Sequence, residues 1–137
     1  MTTHHPYTFG TTLDRSIDEA RALVTDALRA EGFGVLTEID VQATLRDKIG
    51  VERTPYLILG ACNPQLANRA LEADPSIGAL LPCNVVLRSV ETGTQVEVMD
   101  PLSALGVARS SAIQPIAEEA NARLRRVAAA LESAVAG

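Results

Sequence analysis

The chain reads as an α+β domain: an antiparallel sheet with helices packed on one face, in the order β-α-β-α-β-α-β-β-α. Three observations predict this class. Two stretches with helical periodicity lie near the two ends of the chain. Short aliphatic runs between them are punctuated by Gly, Pro, Asn and Asp. Two alternating runs flank the turn Glu91-Thr92-Gly93-Thr94. Strand and helix signals follow one another without repeat, linker or low-complexity tract. The 137 residues suit one domain over 1–137.

Residues 7–13, YTFGTTL, form the first expected strand, with Gly10 as a bulge position. Ser16 and Glu19 form a capping box that opens a helix. Ile17, Ala20, Leu23, Val24, Ala27 and Leu28 share one face of it, and Gly32 stands where a left-handed residue ends it. Residues 33–39 read as a second strand. A short helix follows, capped by Asp40 and stopped by Gly50. The apolar run 54–60 reads as a buried strand. Asn63 then caps a helix with Pro64 at its first position. Residues 83–100 read as a β-hairpin with Val86, Val96 and Val98 pointing inward. The longest helix begins close to Ser111, because Pro115 fits only in a first turn. Ile113, Ile116, Ala120, Leu124, Val127, Leu131 and Val135 recur along it at spacings of three and four.

Apolar residues make up 47% of the chain, yet Tyr7, Phe9, Phe33 and Tyr56 are its only aromatics, so the core must be aliphatic. The net charge of -5 argues against nucleic acid as a partner, since phosphate binding needs a basic footprint. The best basic cluster, Arg123, Arg125 and Arg126, is flanked by Glu118, Glu119 and Glu132 and reads as a solvated helix face. No window reaches the roughly 20 apolar residues of a membrane span, and nothing in MTTHHPYTF directs secretion. The expectation is a cytosolic protein with no membrane partner and with reduced thiols.

The two cysteines, Cys62 and Cys83, are each followed by asparagine. If the strands that carry them are adjacent and antiparallel, both thiols reach one end of the sheet. The intervening chain is long enough to return: a helix over 64–73 runs roughly 15 Å, and residues 74–82 can span about 30 Å. Cys62 also precedes a helix start, where unpaired amides favour negative charge. The expectation is that Cys62 is the more acidic thiol. The bland alternative is that both are small hydrophobes in the core. As metal ligands, two thiolates suit a soft ion such as Cu(I), whereas tetrahedral zinc needs two more donors. His4 and His5, the only histidines, lie in a terminus expected to fray.

Glu38 and Asp40 lie two apart at a strand end, with Asp40 read first as a cap. Arg53, Tyr56 and Asp100 are polar residues beside strands that could line a pocket. No nucleophile elbow, P-loop, dinucleotide fingerprint or zinc-protease motif is present.

The segments GFGVLTEIDVQATLRDKIGV, PYLILGACNPQLANRALEADPSIGALLPCNVVL and VEVMDP together resemble the bacterial and archaeal domain-of-unknown-function 302 family. The likeness runs over essentially the whole chain and is most specific in Gly60-Ala61-Cys62-Asn63-Pro64 and Leu81-Pro82-Cys83-Asn84. It implies a compact α+β fold similar in outline to one TATA-binding-protein repeat, a dimer-forming protein, and no established activity. It also implies a shared site at Cys62 and Cys83, with Glu38, Tyr56, Asn63, Asn84 and Asp100 as companions.

Three functional readings follow. The first is a homodimeric binding domain that takes a small molecule or soft metal ion at the two Cys-Asn pairs. The second is a thiol-dependent transferase or reductase with Cys62 as nucleophile and Cys83 as resolving thiol. The third is an interaction module in which the motifs only shape turns.

Overall fold

A computed structural model describes the backbone of residues 2–136 and the side chains of 5–134. Six antiparallel strands form one sheet: β1 (Thr2–His5), β2 (Thr8–Leu13), β3 (Gly34–Asp40), β4 (Tyr56–Cys62), β5 (Cys83–Val90) and β6 (Gly93–Met99), in the spatial order β1-β2-β6-β5-β4-β3. The helices are α1 (Ile17–Ala30), α2 (Val41–Ile49), α3 (Pro64–Ala73), α4 (Pro101–Gly106) and α5 (Gln114–Ala136), with a 3₁₀ segment at Pro75–Leu80.

Local chemistry sets most of these boundaries. Ser16 accepts from the amide of Glu19, whose carboxylate reaches back to Ser16, so two orphan donors of α1 are satisfied. At its other end Phe33 donates to the Leu28 carbonyl and Gly32 to that of Arg29, with Gly32 at φ 85°. That is the Schellman arrangement, and it buries Phe33 beside Leu28. Asp40 and Asn63 cap α2 and α3 through the amides of Ala43 and Leu66. Gly50 closes α2 in the left-handed conformation.

Alternation along the strands sorts the sheet into two faces. Phe9, Leu13, Leu57, Leu59, Val85, Leu87, Val96 and Val98 point to one face. There they pack with Ala20, Val24 and Leu28 of α1 and Leu124, Val127 and Leu131 of α5. A second cluster lies beyond the sheet: Leu66, Ala70, Ile77 and Leu105 against Ile113, Ile116, Ala117 and Ala120. The lower part of α5 thus belongs to one core and its first turns to another.

Several expectations change. Residues 2–5, in the terminus expected to fray, pair with β2 as a further strand, with Thr2 opposite Thr11 and His5 opposite Thr8. Gly10 is not a bulge. It stays in register opposite Glu97, and a Cβ there would run into the Val96 carbonyl, so close backbone approach explains the glycine. The bulge lies instead in β3, between Val35 and Thr37. Val86 faces away from the helices, because alternation gives the inward positions to its neighbours Val85 and Leu87. Asp100 caps the additional helix α4.

This facing of β5 has a measurable consequence. Val85→Thr places a hydroxyl in the helix-covered core and is expected to cost about 1–3 kcal/mol, whereas Val86→Thr should stay within roughly 0.5 kcal/mol. Urea unfolding of the two variants checks the assignment, and equal costs would contradict it.

Candidate functional site

The β4–β5 pairing delivers both thiols to one end of the sheet. Tyr56 lies opposite Arg88 and Ala61 opposite Cys83, so the C-terminal end of β4 meets the N-terminal end of β5. Cys62 is one residue beyond Ala61 and also pairs with Gly34 of the edge strand β3. Gly60 makes the junction tight. A Cβ there would strike the Thr37 hydroxyl oxygen and lie 2.9 Å from Cγ of Pro82.

Cys62 and Cys83 line one cavity of about 380 Å³. It opens at the seam between the two apolar clusters. Phe33, Ala61 and Cys83 come from the sheet side; Leu66, Ala70, Leu105, Ile116 and Ala120 come from the other. The more exposed lining residues, Leu36, Thr37, Leu71 and half-buried Cys62, mark its mouth. Cys83 lies deeper and is 7% exposed. The polar residues of the wall are few: the two cysteines, Asn63 and Thr37. Among the described residues no Asp, Glu, Lys, Arg or His lines it.

This environment decides the protonation of the sulfurs. Burial pushes the Cys83 thiol up to about 11, with the nearby Cys62 adding to the effect. Burial also raises Cys62. Cys62 thus remains the more acidic of the two thiols, as expected, but its expected lowering is corrected: loss of hydration works against the thiolate, although α3 begins beside it. Both groups are thiols at neutral pH.

The sequence-derived companions separate. Asn63 joins the cavity while it caps α3. Asn84 is exposed and alternates onto the face away from Cys83. Tyr56 stands at the far end of β4, roughly 20 Å away at the usual strand rise. Glu38 pairs with Arg21 at 2.6 Å and lines a different hollow against α1. Asp100 caps α4 through the amides of Leu102 and Ser103 and meets Arg125 at 3.3 Å, while that guanidinium lies over the Phe9 ring. Arg53 is exposed and its carbonyl accepts from Gln42. His5 stacks on Tyr7 at the opposite edge of the sheet, and the side chain of His4 lies outside the described residues. Among the described residues no group of three or more His, Cys, Asp or Glu is placed to hold a metal ion, and no helix is long and apolar enough to cross a membrane.

Reasoning from polar residues missed the apolar wall. The signal was available in the face of α3 that carries Leu66 and Ala70, which has no place over the sheet.

The Cys83 shift fixes a pH dependence. Its folded value of about 11 exceeds the ordinary 9.0, so between these pH values the native state keeps a proton that the unfolded chain has released. Its contribution is complete below pH 9 and disappears as pH rises through 11, amounting to about 3 kcal/mol. Denaturant unfolding of the wild type should weaken over that range, relative to Cys83→Val, by this amount. Parallel curves would refute it.

The pattern of the family described as Domain of unknown function DUF302 matches residues 9–131. No curated protein matches the chain. Among solved structures, the crystal structure of an uncharacterized conserved DUF302 protein from Bacillus stearothermophilus is similar, with a TM-score of 0.81 and 29% identity. The similarity covers 92% of this chain and 96% of that one. A match over so much of the chain, with the sheet and helices already in place, shows that this protein belongs to the DUF302 family.

Proposed function

We propose that the protein binds a small, neutral, mainly aliphatic molecule in the cavity between its two apolar clusters. The observation that carries this reading is the composition of the wall: leucines, alanines, Ile116, Phe33 and Pro82, with Thr37, Asn63 and two uncharged thiols as its polar members and no charged side chain. A carboxylate or phosphate left there without a cation would bear a desolvation cost of several kcal/mol. The volume, about 380 Å³, lies within the usual range of ligand pockets. At the roughly 30 Å³ that a water molecule takes up in the liquid, it is the space of about a dozen waters. A reducing, cytosolic setting goes with this reading, because the pocket chemistry requires free thiols.

The soft-metal reading has less support, because burial keeps both sulfurs protonated and no charged donor joins them. The nucleophilic-enzyme reading has less support, because burial raises Cys62 and leaves little thiolate at neutral pH. Calorimetry with decanol checks the ligand reading: the wild type should bind with a negative heat-capacity change, and Ala67→Phe, which fills the cavity from half-buried Ala67 on α3, should weaken binding by about tenfold or more. Absence of binding by the wild type, or unchanged binding by a folded Ala67→Phe, would overturn it.

Self-association is a second reading, favoured by one feature of the uncovered sheet face. Ile39, Ile58 and Val86 stand side by side across β3, β4 and β5, and Ile39 is 49% exposed. Light scattering across concentration should show a dimer that Val86→Asp dissociates. A wild type that stays monomeric rejects this reading.

A further inference from the structure

We propose that Cys62 is a covalent attachment point for a medium-length acyl chain, received from an acyl thioester, with the chain seated in the cavity. The inference rests on the ligand reading above and names its chemical class. Three observations converge on it. The mouth of the cavity carries a half-buried, uncharged thiol. The interior beyond it is aliphatic, lined by Leu66, Ala70, Leu105 and Ile116. The wall has no cation. A free fatty acid would bring an uncompensated carboxylate into this site, whereas a thioester head is neutral. The same wall therefore discriminates against the acid and accepts the ester. A decanoyl group, with its carbonyl at Cys62, is of about the size that a cavity of about 380 Å³ admits.

The transfer needs no oxidant or reductant. The Cys62 sulfur, having given up its proton to water, attacks the carbonyl carbon of the incoming thioester. A new carbon–sulfur bond forms, the bond to the carrier sulfur breaks, and the carrier thiolate takes up a proton to leave as a thiol. One thioester is consumed and one is made. Because burial raises the Cys62 thiol, the reactive thiolate fraction is small at neutral pH, and the rate should climb with pH. Cys83 is deeper in the wall and more strongly protonated, so it contacts the chain instead of competing for the acyl group.

The test incubates the full chain with the decanoyl and acetyl thioesters of N-acetylcysteamine and follows intact mass. The expected result is one decanoyl group per chain, released by hydroxylamine, absent in Cys62→Ala and retained in Cys83→Ala. Decanoyl should transfer about tenfold or more faster than acetyl, since each methylene seated in an apolar pocket contributes to recognition. Ala67→Phe, which fills the cavity, should remove that preference. The wild-type comparison of chain lengths stands even if Ala67→Phe does not fold. Equal rates for the two thioesters, or labelling that survives in Cys62→Ala, would overturn the proposal. Decanol binding without any adduct would overturn covalent attachment alone and leave the ligand reading standing. Loss of both would overturn both.

Discussion

Helix α5 is longer than the sheet is deep, and the candidate site follows from that mismatch. Its 23 residues span roughly 35 Å, whereas a seven-residue strand such as β4 spans about 23 Å. The sheet and α1 can cover only the part of α5 that carries Leu124, Val127 and Leu131. The first turns, with Ile116, Ala117 and Ala120, and Ile113 just ahead of them, would meet water. They are instead covered by α3, the 3₁₀ segment and α4, which build a second apolar cluster beyond the sheet. Two cores on one helix meet at a seam, and the cavity is the volume that neither fills.

The position of the thiols depends on the register of β4 and β5. With Ala61 opposite Cys83, Cys62 and Cys83 reach the seam from adjacent strands. A slip of one residue would exchange the faces of every side chain on one strand. Leu57, Leu59 and Ala61 all sit in the main core, so the register is held by the whole strand. Gly60 adds a local constraint by admitting Thr37 and Pro82 to close approach. The back wall of the cavity is therefore set by the main core, and its more exposed members belong to edge strand β3, to α3 and to the 3₁₀ segment.

Low polarity gives the site its chemical character. A sulfur at the rim is ordinarily ionised more readily beside a helix start. Here desolvation dominates for both cysteines, and the site is neutral. Charged groups nearby are used elsewhere. Arg123 is held by Glu119 and the Glu31 carbonyl, Arg125 by Asp100 and Phe9, and Arg126 by Glu31. The basic cluster on α5 thus ties the helix to its neighbours, in keeping with the mixed charges around it.

Much of the local structure was legible in the sequence because it is encoded within a few residues. Ser16 with Glu19, Asp40, Asn63 with Pro64, and Gly50 announce helix ends through side-chain-to-backbone hydrogen bonds that need no distant partner. The helical face of α1, the α+β class and the hairpin at Gly93 follow from periodicity and turn chemistry. Other features required the folded chain. In the run Cys83–Leu87 every second residue is buried, but adjacent apolar residues conceal which alternate faces inward, and so Val86 was assigned to the wrong face. Residues 2–5 became a strand only because β2 offered them an open edge. The meeting of Cys62 and Cys83, the separation of Asn84, Glu38, Tyr56 and Asp100 from them, and the neutral cavity itself were all decided by tertiary structure. Caps and turns depend on atoms a few bonds apart, whereas a cavity depends on where whole elements cease to fit together.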